Sequence, residues 1–257
     1  WSEGKGAHSM LNQRTQYTWW SANNLARDTR DNCSSRWACW SREVFYPLTK
    51  RLADIIISAI VLLLAAPVMG LIALAIKLDS PGPVFHIQSR TGKDGRAFRF
   101  YKFRSMTNGV DHTQEHRKFA EAYINGQPVS AATDENGRVL YKPASNGHKI
   151  TRVGRWLRQT SLDELPQFVN VLKGDMSLVG PRPTMDYETA LYTDRHRMRL
   201  AVPPGLTGWA QIHGRSGLSF DEIVSLDLEY IDQCSLLLDL KVLCATIPVV
   251  LNAEHAG

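Results

Sequence analysis

The sequence predicts an α+β fold, mostly helical, in which a membrane-embedded helix–break–helix precedes a small soluble domain with a short β-hairpin and interfacial amphipathic helices. Three observations carry that prediction. The first is an uncharged apolar stretch from Ile55 to Ile76 with Pro67 near its middle. The second is turn chemistry at Thr91-Gly92-Lys93-Asp94-Gly95 between two runs of strand-forming residues. The third is a downstream series of apolar residues at helical spacing, introduced by the acidic run Ser161-Leu162-Asp163-Glu164-Leu165-Pro166.

At roughly 1.5 Å per residue, the apolar stretch is long enough to cross a hydrocarbon core of about 30 Å. Pro67 lacks an N–H and its ring clashes with the carbonyl of Leu63, so a kink or break is expected at Ala66-Pro67, with Gly70 loosening the next turn. Positive charge lies on both sides: Arg42, Lys50 and Arg51 before the stretch, and Lys77, Arg90, Lys93, Arg96, Arg99, Lys102 and Arg104 after it. Because Lys and Arg accumulate on the cytoplasmic side, both ends belong there, which a straight span cannot satisfy. The reading is a re-entrant anchor over residues 46–78; a kinked single span and a buried core helix are the alternatives. A cleaved signal is excluded by the distance from the N-terminus and by the length of the apolar run.

Residues 1–45 form a polar tail with Trp19, Trp20, Trp37 and Trp40, either interfacial or in part a remnant of cloning ahead of Met10. Of the 257 residues, 44% are hydrophobic, which suffices for one packed domain over residues 79–252, with 253–257 as a short tail. The formal net charge of +5 fits nucleic acid, anionic lipid or phosphorylated substrates. Beside a membrane anchor and without a nucleic-acid module, lipid and phosphate are favoured and nucleic acid is not expected. Cys33, Cys39, Cys234 and Cys244 have neither zinc-ligand spacing nor disulfide-scaffold density.

Asp79-Ser80-Pro81-Gly82-Pro83 stops the anchor, and Val84 to Gln88 and Ala97 to Phe103 are the two strands of the hairpin. A helix is expected around His116 to Tyr123, followed by a loop or hairpin with a turn at Asp134-Glu135-Asn136-Gly137. Phe168 to Leu172 reads as a helix closed by Gly174. Asp163 and Glu164 sit at its N-terminus, either as a capping box with Ser161 or with Asp163 as N-cap. Acidic residues in a first turn commonly do no more than satisfy open N–H groups. Here both carboxylates can also reach one Mg²⁺ or phosphate, with Arg158 nearby as a phosphate-pairing fork. Met176 to Val179 is read as a strand, after which Pro181 and Pro183 stiffen the chain around Arg182, reducing the entropy lost on binding an anion. Pro203 to Gly208 is a turn, Trp209 to Ile212 a short strand, and His213-Gly214-Arg215-Ser216-Gly217 a basic loop suited to phosphate. Leu236 to Leu251, with Asp239, Lys241 and Pro248, is too short and charged to span, so it is interfacial or packed beneath the domain.

Tyr101-Lys102-Phe103-Arg104-Ser105-Met106, Thr160 to Gln167, Gly174 to Pro183 and Pro204 to Gly214 occur in the order found in the bacterial sugar transferases, the monotopic polyprenyl-phosphate phosphoglycosyl transferases. The chain resembles that family from about Tyr46 to Leu251. The resemblance implies a cytoplasmic catalytic domain at the bacterial inner membrane that moves a sugar-1-phosphate from a UDP-sugar to undecaprenyl phosphate and releases UMP, beginning capsule, exopolysaccharide or O-antigen synthesis. It implies Asp163 as nucleophile in a two-step route through an aspartyl-phosphosugar, and Glu164, with Asp163, as the holder of Mg²⁺. Arg158, Arg182 and Arg215 then pair with phosphates, Lys102 and Arg104 are further candidates, and Thr207, Trp209 and Gln211 match a stretch of open role. Two departures stand out. Small members often have Ser-Pro where this chain has Ala66-Pro67, and larger members carry an N-terminal transmembrane bundle, so a compact member or an excised catalytic part is expected. Membrane lipid is an expected partner and a homodimer is compatible with the sequence. The rival classes are a glycosyltransferase releasing UDP, a membrane-anchored phosphatase and a non-catalytic scaffold of a polysaccharide-assembly complex; Walker, dinucleotide-binding, zinc-protease and nucleophile-elbow motifs are missing.

Overall fold

The computed structural model describes residues 45–107, 113–127, 132–133, 139–140, 150–214 and 217–251. The N-terminal tail, the turn at 134–137 and Arg215 lie outside them. The first element, α1, is a single helix of 34 residues, Tyr46–Asp79, about 51 Å long. It is long and apolar enough to cross a membrane. Its first residues, up to Lys50, group apart from the body Arg51–Gly257. The helical path runs on through Ala66-Pro67, so of the expected kink or break only a kink is compatible with it. Proline's fixed φ is already helical, so one N–H bond is lost and the turns on both sides persist.

Leu63, Leu64, Leu71 and Leu78 all face outward, whereas only Asp54, Ser58, Ile72 and Ile76 of α1 are buried. A core helix would show the reverse, so that alternative is removed. The buried positions lie toward the two ends of the helix. Near the start, Arg51 donates to the carbonyls of Val171 and Leu172 at 2.6 and 2.8 Å, and Asp54 accepts from the Leu178 N–H at 3.0 Å. Near the finish, Ile72 and Ile76 join Phe103 and Leu157 in one core. Asp79 accepts from the Val153 N–H at 3.1 Å.

The hairpin follows as expected, with β1 (Phe85–Thr91) antiparallel to β2 (Ala97–Phe103). Asp94 and Gly95 take left-handed backbone angles in its turn, as the Asp-Gly pair predicts. Register sets His86 opposite Lys102, Gln88 opposite Phe100 and Arg90 opposite Phe98. Since side chains alternate along a strand, these residues share one face, and Phe103 on the other face packs into the core. The helix α2 (Thr113–Ile124) matches the expectation around His116. A two-residue pair, β3 (Ala132–Thr133) and β4 (Val139–Leu140), follows it.

The helix α3 (Arg152–Gln159) is capped by Thr151, whose hydroxyl accepts from the Gly154 N–H at 2.9 Å. A Cβ on Gly154 would overlap the Ser105 backbone, so glycine is what lets α3 lie against the end of β2. Ser161 then turns the chain through a left-handed conformation into a one-turn 3-10 helix, Leu162–Glu164. The helix α4 (Gln167–Lys173) begins only after Pro166 and ends at Gly174 with φ 89°. Neither the Ser161–Glu164 capping box nor an Asp163 N-cap forms; Ser161 is in the wrong backbone region to cap, and Pro166 is itself the N-cap. Asn170 binds α4 to β2, accepting from the Tyr101 N–H at 3.2 Å and donating to the Arg99 carbonyl at 2.6 Å.

A parallel pair, β5 (Ser177–Val179) and β6 (Gly205–Thr207), closes behind α4. Gly180 and Gly205 approach so closely that a Cβ on Gly205 would strike the Gly180 backbone. Two short helices, α5 (Asp186–Thr189) and α6 (Asp194–Arg197), connect these strands. Trp209–His213 is a helix, α7, not the expected strand; a four-residue apolar run carries no decisive period, and the strand in this region is the preceding Gly205–Thr207. The helix α8 (Phe220–Gln233) buries Phe220 and Val224 against Ile124 and Tyr192 in a second core. The last helix, α9 (Leu236–Leu251), buries Val242 and leaves Leu237, Leu240 and Ile247 outside, so it packs on the domain along one side only.

Candidate active site

Strand β2 and the 3-10 turn meet at three charged side chains. Lys102 Nζ lies 2.6 Å from Asp163 Oδ2 and 3.8 Å from Glu164 Oε1. The side chain of Asp163 is 3% exposed, that of Lys102 27% and that of Glu164 35%. A sealed carboxylate therefore stands behind a reachable one, with an ammonium joining them. Burial pushes the Asp163 carboxyl above its ordinary range, Lys102 draws it back toward the ionised form, Glu164 raises it and Arg158 lowers it. Ionisation of Asp163 thus leans on Lys102 more than on a helix terminus, because α4 starts beyond the turn.

Arg158, at the end of α3, donates from Nε to Ser105 Oγ at 2.9 Å. That contact orients the guanidinium toward the Lys102 side of the hairpin, where His86 is held below its ordinary range by burial, then by Lys102, Arg90 and Arg158. Lys102, Arg158, Asp163 and Glu164 are therefore brought together. Arg104 is not among them. It is buried, with Nη1 donating to the Pro81 carbonyl at 2.9 Å and Nη2 to the Ser80 carbonyl at 2.7 Å and Ser80 Oγ at 2.9 Å. Its guanidinium closes the C-terminal end of α1, where carbonyls lack helical partners, which corrects its expected place at substrate.

Arg182 projects exposed from the Pro181–Pro183 segment. That segment is pinned on both sides: the Gly180 N–H donates to Thr207 O at 2.9 Å and the Gly205 N–H to Pro181 O at 2.9 Å. From the hairpin, the Thr91 N–H donates to Thr184 O at 2.8 Å and Arg90 Nη1 to Pro183 O at 3.2 Å. Arg90 was read from sequence only as part of the positive charge following the anchor. Its signal was the period of two that sets it on the Lys102 face. Arg51 and Asp54, at the foot of the anchor, were likewise missed as contacts to α4 and β5.

The donor set was tested against the expected Mg²⁺. No group of three or more His, Cys, Asp or Glu side chains able to hold a metal occurs among the described residues. Mg²⁺ needs no such cage; one or two carboxylates with waters and substrate phosphates complete its shell. Asp163 and Glu164 share the Lys102 ammonium at 2.6 and 3.8 Å, and Glu164, the more open of the two, is the carboxylate in a position to take a further cation with its waters.

The family model described as bacterial sugar transferase matches residues 45–253. The chain is 40% identical over 208 residues to the UDP-glucose:undecaprenyl-phosphate glucose-1-phosphate transferase of Escherichia coli, covering 78% of this chain and 39% of that protein. It is 41% identical over 209 residues to the uncharacterized sugar transferase EpsL of Bacillus subtilis, covering 80% and 89%. It is 38% identical over 221 residues to the UDP-N-acetylgalactosamine-undecaprenyl-phosphate N-acetylgalactosaminephosphotransferase of Aeromonas hydrophila, covering 82% and 45%. The chain thus spans less than half the length of two of these relatives and nearly all of the third.

Proposed function

Because the chain belongs to the bacterial sugar transferase family, we propose that it transfers a sugar-1-phosphate from a UDP-sugar to undecaprenyl phosphate, releasing UMP. The observation that carries the reading is the buried Asp163 held by Lys102 beside the more open Glu164, on the same body as an exposed apolar helix.

In this reading an Asp163 oxygen attacks the β-phosphorus of the donor. The bond from that phosphorus to the bridging oxygen breaks, UMP leaves with the oxygen, and an aspartyl-phosphosugar remains. A phosphate oxygen of undecaprenyl phosphate then attacks the same phosphorus and the aspartyl bond breaks, restoring the carboxylate. Lys102 keeps the nucleophile charged inside a site that disfavours charge. Arg158 and Arg182 pair with phosphate oxygens, and Arg215 is assigned with them from the family motif. Glu164, with Asp163, would hold Mg²⁺, which offsets charge on the diphosphate.

The anchor is read as re-entrant, with both ends on the cytoplasmic face of the inner membrane. Its support is arithmetic. Between fully buried Ser58 and buried Ile72 lie residues 59–71, roughly 20 Å of helix, against a hydrocarbon core of about 30 Å. On both sides of that stretch the helix bonds to or packs on the same domain, through Arg51 and Asp54 at one end and Ile76 and Asp79 at the other.

The test is UMP release by the protein in nanodiscs with Mg²⁺, undecaprenyl phosphate and a panel of UDP-sugars, beside Asp163→Asn. Lipid-dependent UMP that vanishes in the variant is expected. UDP as product would replace this reading with a glycosyltransferase, and a biological effect that survives Asp163→Asn would replace it with a scaffold.

A further inference from the structure

Arg90 occupies a place on the hairpin that the reaction as described does not use. Its guanidinium lies over the Phe100 ring, 5.1 Å from the centroid. Nη1 donates to the Pro183 carbonyl at 3.2 Å and Nη2 to Gln88 Oε1 at 3.1 Å. The buried Nε has no partner. No carboxylate lies within ion-pair distance of Arg90 or Arg182 among the described residues. Glu188, the acid whose charge acts most strongly on Arg90, has its Oε2 engaged by the Met185 N–H at 3.0 Å. Arg182 is the charge that acts most strongly on Arg90, and Glu164 acts on it more weakly. Burial together with Arg182 brings the Arg90 guanidinium down to about 10, so at neutral pH it remains a cation.

Around this pair the backbone is fixed. Ser89 Oγ and Thr91 Oγ1 donate to the two oxygens of Asp186 at 2.7 and 2.9 Å, and Thr91 pairs with Thr184. Strand β1 is therefore the bed of the Arg182 segment, while β2, its partner strand, presents Lys102 to the carboxylates. Arg90, bonded to the Pro183 carbonyl one residue from Arg182, feels the Arg182 charge with no carboxylate in ion-pair contact, which disfavours both cations unless an anion joins them.

We propose that Arg90 is a positioning residue: through the Pro183 carbonyl it sets Arg182 beside the Asp163–Glu164 pair, and with Arg182 it builds an unneutralised seat for a phosphate oxyanion of the substrate. The proposal rests on the transferase reading for the identity of that substrate, while the seat itself can be measured without turnover. The oxyanion belongs either to the nucleotide diphosphate or to the lipid phosphate.

The experiment uses the full chain in nanodiscs with Arg90→Gln, Arg90→Lys, Arg182→Gln and the Arg90→Gln/Arg182→Gln double variant. UDP is the binding probe, read by calorimetry, followed by UMP-release kinetics against undecaprenyl phosphate. Arg90→Gln is expected to weaken the sensitive ligand about 10- to 100-fold. Arg90→Lys recovers part of that loss, and the double variant is little worse than Arg182→Gln alone, because one residue acts through the other. A change in the UDP Kd assigns the seat to the nucleotide; an unchanged UDP Kd with a raised KM for undecaprenyl phosphate assigns it to the lipid. The proposal is overturned if both constants stay at wild-type values, or if losses add in the double variant while Arg90→Gln melts far below wild type, which marks a merely structural arginine. A wild type that binds UDP but releases no UMP sinks the transferase reading and leaves the seat to the UDP measurement.

Discussion

Two aspartates in this molecule are sealed to the same degree and stand in opposite surroundings. Asp163 and Asp227 each have side chains 3% exposed and each is pushed up by burial; Asp227 is drawn back by Arg199, and Asp163 chiefly by Lys102 with Arg158 adding to it. Asp227 faces Arg199 at 2.5 Å, itself 3% exposed, donating also to Tyr192 Oη at 3.0 Å and stacked over Phe220. That pair is closed on every side. Asp163 faces Lys102, which is ninefold more exposed than its partner, beside a carboxylate open to solvent and after a serine held in a left-handed turn. Burial of a carboxylate therefore does not mark a reactive group. The mark is a partner cation that a substrate can reach.

The comparison predicts its largest effect at Asp163. Asp163→Asn should lower turnover by at least about 10⁴-fold while the protein still folds and binds vesicles. Its melting temperature should hold or rise. With the folded carboxyl raised above its unfolded value, Asp163 contributes stability at low pH that is lost as pH rises through the folded value, and a neutral amide escapes that loss. A clear fall in melting temperature would mean that the site is built like the Asp227 pair.

Asp227→Asn should do the converse, destabilising by about 3–5 kcal/mol by leaving Arg199 buried and unpaired. Turnover per folded molecule should be retained, and denaturant melts beside active-site titration would separate the two quantities. Next in size is Lys102→Met, expected to cost roughly 10²-fold in turnover. Because Asp163 must be ionised, activity falls as pH falls through its raised value, and removing Lys102 moves that acid limb to higher pH. An unmoved limb would assign it to another group. Smallest in energy is the anchor test: single cysteines placed before Arg51 and after Ser80 should both label from the cytoplasmic side. Periplasmic labelling at the first position would establish a span.

The hairpin and the closure of α4 at Gly174 were legible because each depends on a few adjacent residues, Asp94-Gly95 and Lys173-Gly174, whose backbone preferences are local. The acidic turn was legible as a motif, and its geometry was not. A capping helix and a 3-10 turn share the same residues, and the left-handed Ser161 decides between them, at the head of a turn that packs on β2 and α3. Trp209–His213 misled for a related reason: a five-residue segment has no period strong enough to oppose the packing of its neighbours.

The arginines divide along the same line. Motif position set Arg104 with the substrate, but the carbonyls of Ser80 and Pro81 at the end of α1 lie within its reach and take donors from both Nη atoms. Arg90 had no motif, and strand pairing set it against the Arg182 segment. Sequence by itself determined the apolar helix, the turn residues and the order of charged motifs, because length, hydropathy and local backbone preference are properties of neighbours in the chain. Tertiary structure alone decided which of two equally sealed aspartates is closed in by a buried arginine and which is served by a reachable lysine. It also decided which arginine faces a carbonyl and which faces open charge, since burial and pairing are created when segments distant in the chain, from 23 residues apart for Arg104 and Pro81 to 120 for Arg51 and Val171, come together.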